Sequence, residues 1–257
     1  MKSLIYNKYG DSSVMQIIDE PAPIPQANDL LIKIKCVAIN PLDWKIRNGE
    51  LKIMTGNQFP KHIGCEYSGI VEKVGNDVEQ SMLGKRVFGF MDNPMKKGAL
   101  REYLCVNINT VSEIPSQTSF QEASAVTICG VAALQSINQI AKGTAGQFIL
   151  INGCTGGIGL FAIQIAKKLG LKVFGVCSTE GVAIAKEYGC DVVIDYKKDN
   201  ISKIQQKFDI ILELSGQLPY AKAQEMMNPN STFIDPIASP QAILKSFFIN
   251  LFKSKKY

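Results

Sequence analysis

Through about residue 115 the chain reads as a series of short strands. In LLIKIKCVAI, Ile32, Ile34 and Cys36 alternate with Lys33 and Lys35, the period of two expected of a half-buried strand. YSGIVEKVG, KRVFGF and ALREYLCV are similar runs separated by Gly, Asn, Asp and Pro. Many short strands with turn signals between them predict a barrel or sandwich. From Ser119 the rhythm changes. Ser119 with Glu122 has the spacing of a capping box, and the helix it opens is predicted to run through Ala132–Ile140 and stop before Gly143. Four further strands, KVFGVC, DVVID, FDIILEL and STFID, follow QFILIN, with helical segments between most of them. That alternation predicts a parallel sheet with helical crossovers, and so an α/β fold for this half.

The sharpest local signal is QFILINGCTGGIGLFAIQIAKKLG, a strand that feeds a glycine turn opening directly into a helix. Gly153 permits the tight turn, Gly156 has no Cβ to hold off a diphosphate, and Gly159 lets the helix lie close on the sheet. Thr155, Gly157 and Ile158 complete the turn, and the helix front offers unpaired amides and a positive dipole end. Ile158, Phe161, Ala162, Ile165, Ala166 and Leu169 form the predicted buried stripe of that helix. This is a Rossmann nucleotide-binding unit. It is not the phosphate loop of nucleoside triphosphatases, because no Lys-Ser/Thr follows the last glycine. In NAD binders an acid near the end of the second strand bonds the ribose 2′-hydroxyl. Here that strand ends at Cys177 and continues Ser178-Thr179, two hydroxyls suited to a 2′-phosphate, so NADPH is favoured. Glu180 follows and opposes a phosphate, which keeps NADH open.

Composition narrows the classes. Hydrophobic residues make up 46% and charged residues 20%, enough for a normal core. The net charge of +5 owes much to Lys253, Lys255 and Lys256, a basic tail without a nucleic-acid motif, so no nucleic-acid partner is expected. Seven cysteines, at 36, 65, 105, 129, 154, 177 and 190, include no C-x-x-C pair and sit mostly in apolar runs, as free thiols in a reducing compartment would. The N-terminus lacks the apolar stretch of a signal peptide, and runs such as QFILIN are too short to span a bilayer, so a cytoplasmic protein without membrane insertion is expected.

Five stretches, INPLDWKIRNG at 39–49, PKHIGCEYSGIVEKVG at 60–75, FQEASAVTICGVAALQSI at 120–137, INGCTGGIGLFAIQIAKKLG at 151–170 and STEGVAIAKEYGCDVVIDY at 178–196, together resemble the medium-chain dehydrogenase/reductase superfamily in its zinc-independent quinone oxidoreductase branch. The resemblance implies a GroES-like β-rich catalytic domain at 1–117 and a Rossmann domain with a doubly wound parallel sheet at 118–242, with the cofactor in a cleft between them. It implies an NADPH-dependent oxidoreductase that passes hydride to a quinone, an enone or another activated carbonyl, with a small-molecule substrate. Asn40, Asp43 and Glu66 would line the nicotinamide end, and Thr127–Gly130 would lie beneath the ring. Ser178, Thr179 and Tyr196 would surround the adenosine ribose. Rossmann edges pair in this superfamily, which would make a homodimer.

Departures from the pattern keep alternatives open. The positions of the Cys/His/Cys zinc site of related alcohol dehydrogenases are matched by Asn40, Cys65 and Cys129. No zinc is expected, the alternative being an atypical metal site on Cys65, Cys129 and Glu66. The four-cysteine zinc lobe is absent, and the lone histidine, His62, is expected in a surface or hinge role. Residues 243–257 are expected to be the start of an incomplete C-terminal segment, which would leave the cofactor sheet without a sixth strand. A nucleotide-binding protein without catalysis, or an inactive fragment of such a reductase, is therefore the rival from another class. A short-chain dehydrogenase is excluded, since no Tyr has a Lys four residues on.

Overall fold

The computed structural model describes residues 1–91, 97–201 and 204–236. The apolar segment within 243–257 lies outside the described residues. Two compact units divide the chain, Met1–Ile128 and a second that begins at Cys129.

The first unit is β-rich. Strands β1 (Lys2–Tyr6), β2 (Met15–Asp19) and β4 (Lys61–His62) form a three-stranded antiparallel sheet in the order β2-β1-β4. Strands β3 (Asp29–Ala38), β5 (Glu66–Val74), β6 (Arg86–Phe90), β7 (Tyr103–Asn107) and β8 (Val111–Glu113) form a second antiparallel sheet in the order β7-β3-β5-β6-β8. The alternation read in β3 holds at Ile32, Lys33 and Lys35, whereas Leu30 and Leu31 are both buried. Leu30 joins Ile32 in the core cluster of this unit whereas Leu31 is buried outside it, so both sides of the strand are covered there. The core of this unit is Leu30, Ile32, Tyr67, Val71, Val87 and Met91 with their neighbours. Two short helices, α1 (Pro41–Asn48) and α2 (Lys52–Thr55), follow β3.

Helix α3 (Phe120–Leu134) begins as its sequence predicts. Ser119 N–H donates to Glu122 Oε2 at 2.8 Å and Glu122 N–H to Ser119 Oγ at 3.1 Å, a reciprocal cap. Its continuation, Gln135–Ile140, is wound as a π turn. Together they make a 21-residue helix that, by length and composition alone, is long and apolar enough to cross a membrane, which a reading confined to runs such as QFILIN overlooks. Ala123, Ser124, Ala133, Ser136 and Ile137 form its buried face.

The second unit holds a parallel sheet of β9 (Phe148–Asn152), β10 (Lys172–Cys177), β11 (Val192–Asp195), β12 (Phe208–Glu213) and β13 (Met227–Ile234), in the order β11-β10-β9-β12-β13. Helix α4 (Gly157–Lys168) joins β9 to β10, and α5 (Val182–Glu187) joins β10 to β11; α6 (Tyr220–Ala223) follows β12. Strand β9 is buried on both faces, which is why it reads as continuous apolar residues. Ile149 and Ile151 face one core cluster with Ala162, Ile163 and Ala166 of α4; Leu150 faces the other with Phe208, Ile211 and Phe233. After β11 the chain returns to the far side of β9, so the strand order reverses there. The crevice at the carboxyl ends of β9 and β12 is where ligands of such sheets bind.

The buried side of α4 contains the predicted stripe and adds Ile163 to it. Gly159, Ala162, Ile163 and Ala166 are fully buried, whereas Ile158, Phe161, Ile165 and Leu169 only flank the core.

Candidate functional site

The glycine turn sits at the carboxyl end of β9. Gly153 adopts φ +86°, which disfavours any side chain, and a Cβ there would meet Leu214 and Ser215 backbone at 3.3 Å. Its N–H and that of Cys154 both donate to Val176 O at 3.0 Å, tying the turn to β10. Gly156 caps α4, and the first helical bond is Leu160 N–H to Gly156 O at 3.0 Å. The amides of Gly157, Ile158 and Gly159 therefore have no carbonyl one turn back. A Cβ on Gly156 would touch only Gly153 O, at 3.4 Å, so space lies open before the helix. On Gly157 a Cβ would strike Cys129 Sγ at 2.8 Å, and on Gly159 it would strike Cys154 O at 2.4 Å. Thr155 packs against Gly181. Open space in front of free amides at a helix start fits the diphosphate of a dinucleotide.

A polar brace beneath the turn is invisible to local sequence reading. Asn152 Nδ2 donates to Glu213 Oε2 at 2.6 Å and to Ser215 Oγ at 2.9 Å. The other oxygen of Glu213 accepts from Ser215 N–H and Oγ, each at 2.7 Å. In FDIILEL, Glu213 reads only as a strand residue; that it faces Asn152 follows from β12 pairing with β9.

At the end of β10, Ser178 and Thr179 start a short 3-10 turn. Thr179 Oγ1 donates to Asp195 Oδ2 at 2.6 Å. Glu180 is held by Lys197 Nζ at 2.8 and 3.0 Å, and hydrogen bonds from Lys197 and Ser178 bring its carboxyl down to about 2. Tyr196 is 59% exposed and its N–H donates to Cys177 O at 3.0 Å. Two charged residues of this cluster, Asp195 and Lys197, are absent from the sequence reading. The end of β10 itself carries no acid; Asp195 ends the neighbouring β11 and pairs in register with Cys177.

In the first unit, Asn40, Asp43 and Glu66 come together. Asn40 caps α1, and its N–H donates to Asp43 Oδ2 at 2.7 Å. Its side-chain amide donates to Glu66 Oε1 at 2.5 Å, and the other Glu66 oxygen accepts from Ile128 N–H on α3. Glu66 is wholly buried; burial raises its carboxyl above the ordinary range, against the lowering effect of the two hydrogen bonds. Burial and the nearby Asp43 carboxylate push the Cys65 thiol far up. Thr127 Oγ1 is buried and finds no hydrogen-bond partner among the described residues, an unmet polar atom that an amide ligand would satisfy. His62 lies outside this network, 3.4 Å from Glu20 Oε1. For a metal the donor set is poor. The Asn40 amide and both Glu66 oxygens are committed to one another and to α3, and among the described residues no three His, Cys, Asp or Glu side chains cluster for an ion. All seven cysteines are free thiols.

Two family models match the chain: the alcohol dehydrogenase GroES-like domain over residues 26–116 and the zinc-binding dehydrogenase over 157–234. A trans-enoyl reductase of Aspergillus terreus is 33% identical over 253 residues, covering 90% of this chain and 70% of that protein. A chloroplast envelope quinone oxidoreductase homologue of Arabidopsis thaliana is 26% identical over 266 residues, 100% of this chain and 80% of its own length. The solved quinone oxidoreductase of Coxiella burnetii superposes with a TM-score of 0.91 at 26% identity, covering 100% of this chain and 81% of that one. With a GroES-like first unit, a Rossmann second unit and the glycine turn at its expected place, the chain belongs to the medium-chain dehydrogenase/reductase superfamily, in its zinc-independent quinone reductase branch, and is a nicotinamide-dependent oxidoreductase.

Proposed function

We propose that this protein is an NADPH-dependent reductase of quinones or of alkenes conjugated to a carbonyl. The observation that carries the reading is the open space before Gly156 together with the helix-start amides of Gly157, Ile158 and Gly159, which precede the first helical bond. A quinone oxidoreductase homologue and a trans-enoyl reductase among the relatives support the substrate class. When bound, the nicotinamide supplies the hydride. The chain's own residues then have separable tasks. The turn Gly153–Gly159, with Thr155, holds the diphosphate by amide donation and helix dipole. Ser178, Thr179 and Tyr196 enclose the adenosine ribose. Asn40, Asp43 and Thr127 serve the reacting end, with the Thr127 hydroxyl donating to or accepting from a carboxamide. Glu66, with both oxygens engaged, acts as a positioning residue: it holds the Asn40 amide and fixes α3 beside Thr127. Neither the hydride step nor its protonation is routed through a metal.

Lys197 supports NADPH over NADH, because its ammonium is free to exchange Glu180 for a 2′-phosphate, and Lys198 lies 3.5 Å from Asp195 on the same turn. A second reading rests on Glu180 and Asp195 themselves, which as acceptors beside Ser178 and Thr179 suit the free 2′-hydroxyl of NADH. Fluorescence titration with each reduced cofactor separates the two. Steady-state oxidation of the preferred cofactor with a panel of quinones and enones tests the reaction. Tight binding without turnover on any acceptor would leave a nucleotide-binding protein without catalysis and overturn the reductase reading.

A further inference from the structure

Strand β10 carries a glycine at its centre, Gly175, where a β-branched residue would pair better with its neighbours. The space it leaves is filled by sulfur. A Cβ on Gly175 would meet Cys190 Sγ at 2.6 Å and Cys154 Sγ at 2.7 Å, so the two thiols converge on one point above the strand. Cys154 shares a thiol hydrogen bond with Cys190 and a second with Cys177. Cys154 and Cys177 are buried, whereas Cys190 is partly exposed just before β11.

We propose that Cys190 and Cys154 form an oxidant-sensitive thiol pair whose disulfide disables the glycine turn. The chemistry assigns the order. Cys190 is partly exposed and Cys154 buried, so Cys190 meets the oxidant first; the thiol hydrogen bond with Cys154 and the Lys167 ammonium lower its thiol against the opposing effects of burial and the Asp191 carboxylate. Its sulfur attacks a hydroperoxide: an S–O bond forms, the O–O bond breaks, and hydroxide leaves with a solvent proton as water. The Cys154 sulfur then attacks the Cys190 sulfenic acid: the S–S bond forms, the S–O bond breaks, and the Cys154 proton departs with the hydroxide as a second water. Two thiols lose two electrons and the peroxide gains them. Closing thiol contact to an S–S bond of about 2.05 Å draws Cys154 towards Cys190. Cys154 is the residue between Gly153 and Thr155, and its carbonyl is the surface on which Gly159 rests. The turn cannot keep its shape while Cys154 moves. The consequence for binding rests on the reading that this turn receives the cofactor.

The test treats the full chain with hydrogen peroxide and maps disulfides by mass spectrometry of unreduced peptides, alongside NADPH titration before and after. The expected result is a peptide pair joining Cys154 to Cys190, cofactor binding weakened about tenfold or more, and recovery with dithiothreitol. In Cys190→Ser and Cys190→Ala the linked peptide is missing and peroxide leaves binding unchanged, while Cys177→Ser still forms the bond. A bond from Cys154 to Cys177, or no bond at all, overturns the pairing. A Cys154–Cys190 bond with unchanged affinity overturns the coupling. Failure of the reduced protein to bind either cofactor strikes the proposed function instead, and the peptide map still decides the thiol chemistry.

Discussion

Asn152 and Glu213 stand in register on adjacent parallel strands, and their side chains meet at 2.6 Å directly below the glycine turn. Glu213 also orders Ser215, so one buried carboxylate holds both lips of the crevice. Replacing Glu213 with Ala removes the acceptor of Ser215 N–H and leaves the Asn152 amide with Ser215 Oγ alone. A loss of about 2–3 kcal/mol in unfolding free energy is expected, measured by urea denaturation, together with weaker cofactor binding. Wild-type stability in Glu213→Ala would contradict the brace.

Two glycines three residues apart should fail in opposite ways. Gly159→Ala places a methyl 2.4 Å from Cys154 O, so the helix must lift, costing about 1–3 kcal/mol. Gly156→Ala meets only open space at φ −76°, so thermal stability should hold or rise slightly, while NADPH affinity drops because the methyl fills the phosphate niche. If Gly156→Ala binds NADPH like the wild type, the diphosphate does not lie there.

Lys197→Ala should weaken NADPH about 5–10-fold and leave NADH nearly unchanged. A pH profile sharpens this. Glu180, down at about 2, stays ionised throughout the range from pH 5 to 8 and contributes no slope. The 2′-phosphate, with a second pKa of about 6, becomes a dianion as pH rises, so wild-type NADPH affinity should increase through pH 6. NADH affinity should stay flat. Parallel profiles for the two cofactors would favour the NADH reading.

Glu66→Gln keeps the shape of a buried side chain but offers one acceptor where two donors, the Asn40 amide and Ile128 N–H, arrive. Turnover should fall about 10–100-fold as one donor is left unmet, whereas the dissociation constant for reduced cofactor changes little. Equal losses in both quantities would place Glu66 in cofactor binding rather than in support of the reacting end.

Asp191 ties α4 to β10, accepting from Lys167 Nζ at 2.7 Å and from Val173 N–H at 2.7 Å. Partial burial alone would raise its carboxyl, but these bonds outweigh it and hold the group below its ordinary value. The unfolded chain therefore binds its proton more readily than the folded one. The stabilisation is complete above about pH 4 and disappears as pH falls through the lower native value. Asp191→Asn should cost about 1 kcal/mol at pH 7, and the difference should shrink as pH falls below about 4.

Much of this was legible where the backbone itself demands a residue type. Gly153 at positive φ and Gly159 against Cys154 O disfavour any side chain, so a strand, a glycine turn and a helix announce themselves. Ser119 and Glu122 likewise specify their cap locally. Residues joined by sheet pairing were not legible in the same way. Glu213 lies 61 positions from Asn152, and Asp195 is 16 from Thr179, so nothing nearby in sequence marks either as a partner. The helical spacing of α4 does mark the side that packs on the core, whereas the full burial of Ile163 beside Ala162 depends on how the helix meets the sheet.

The reversal of strand order beside β9 carries a last implication. A binding place fixed by where a chain turns back is anchored by main-chain direction, and the amides that fill it belong to no particular side chain. Descendants of this architecture are thus free to exchange almost every residue that contacts substrate while the nucleotide keeps its berth, and new specificities can be explored without first rebuilding a way to hold the reductant.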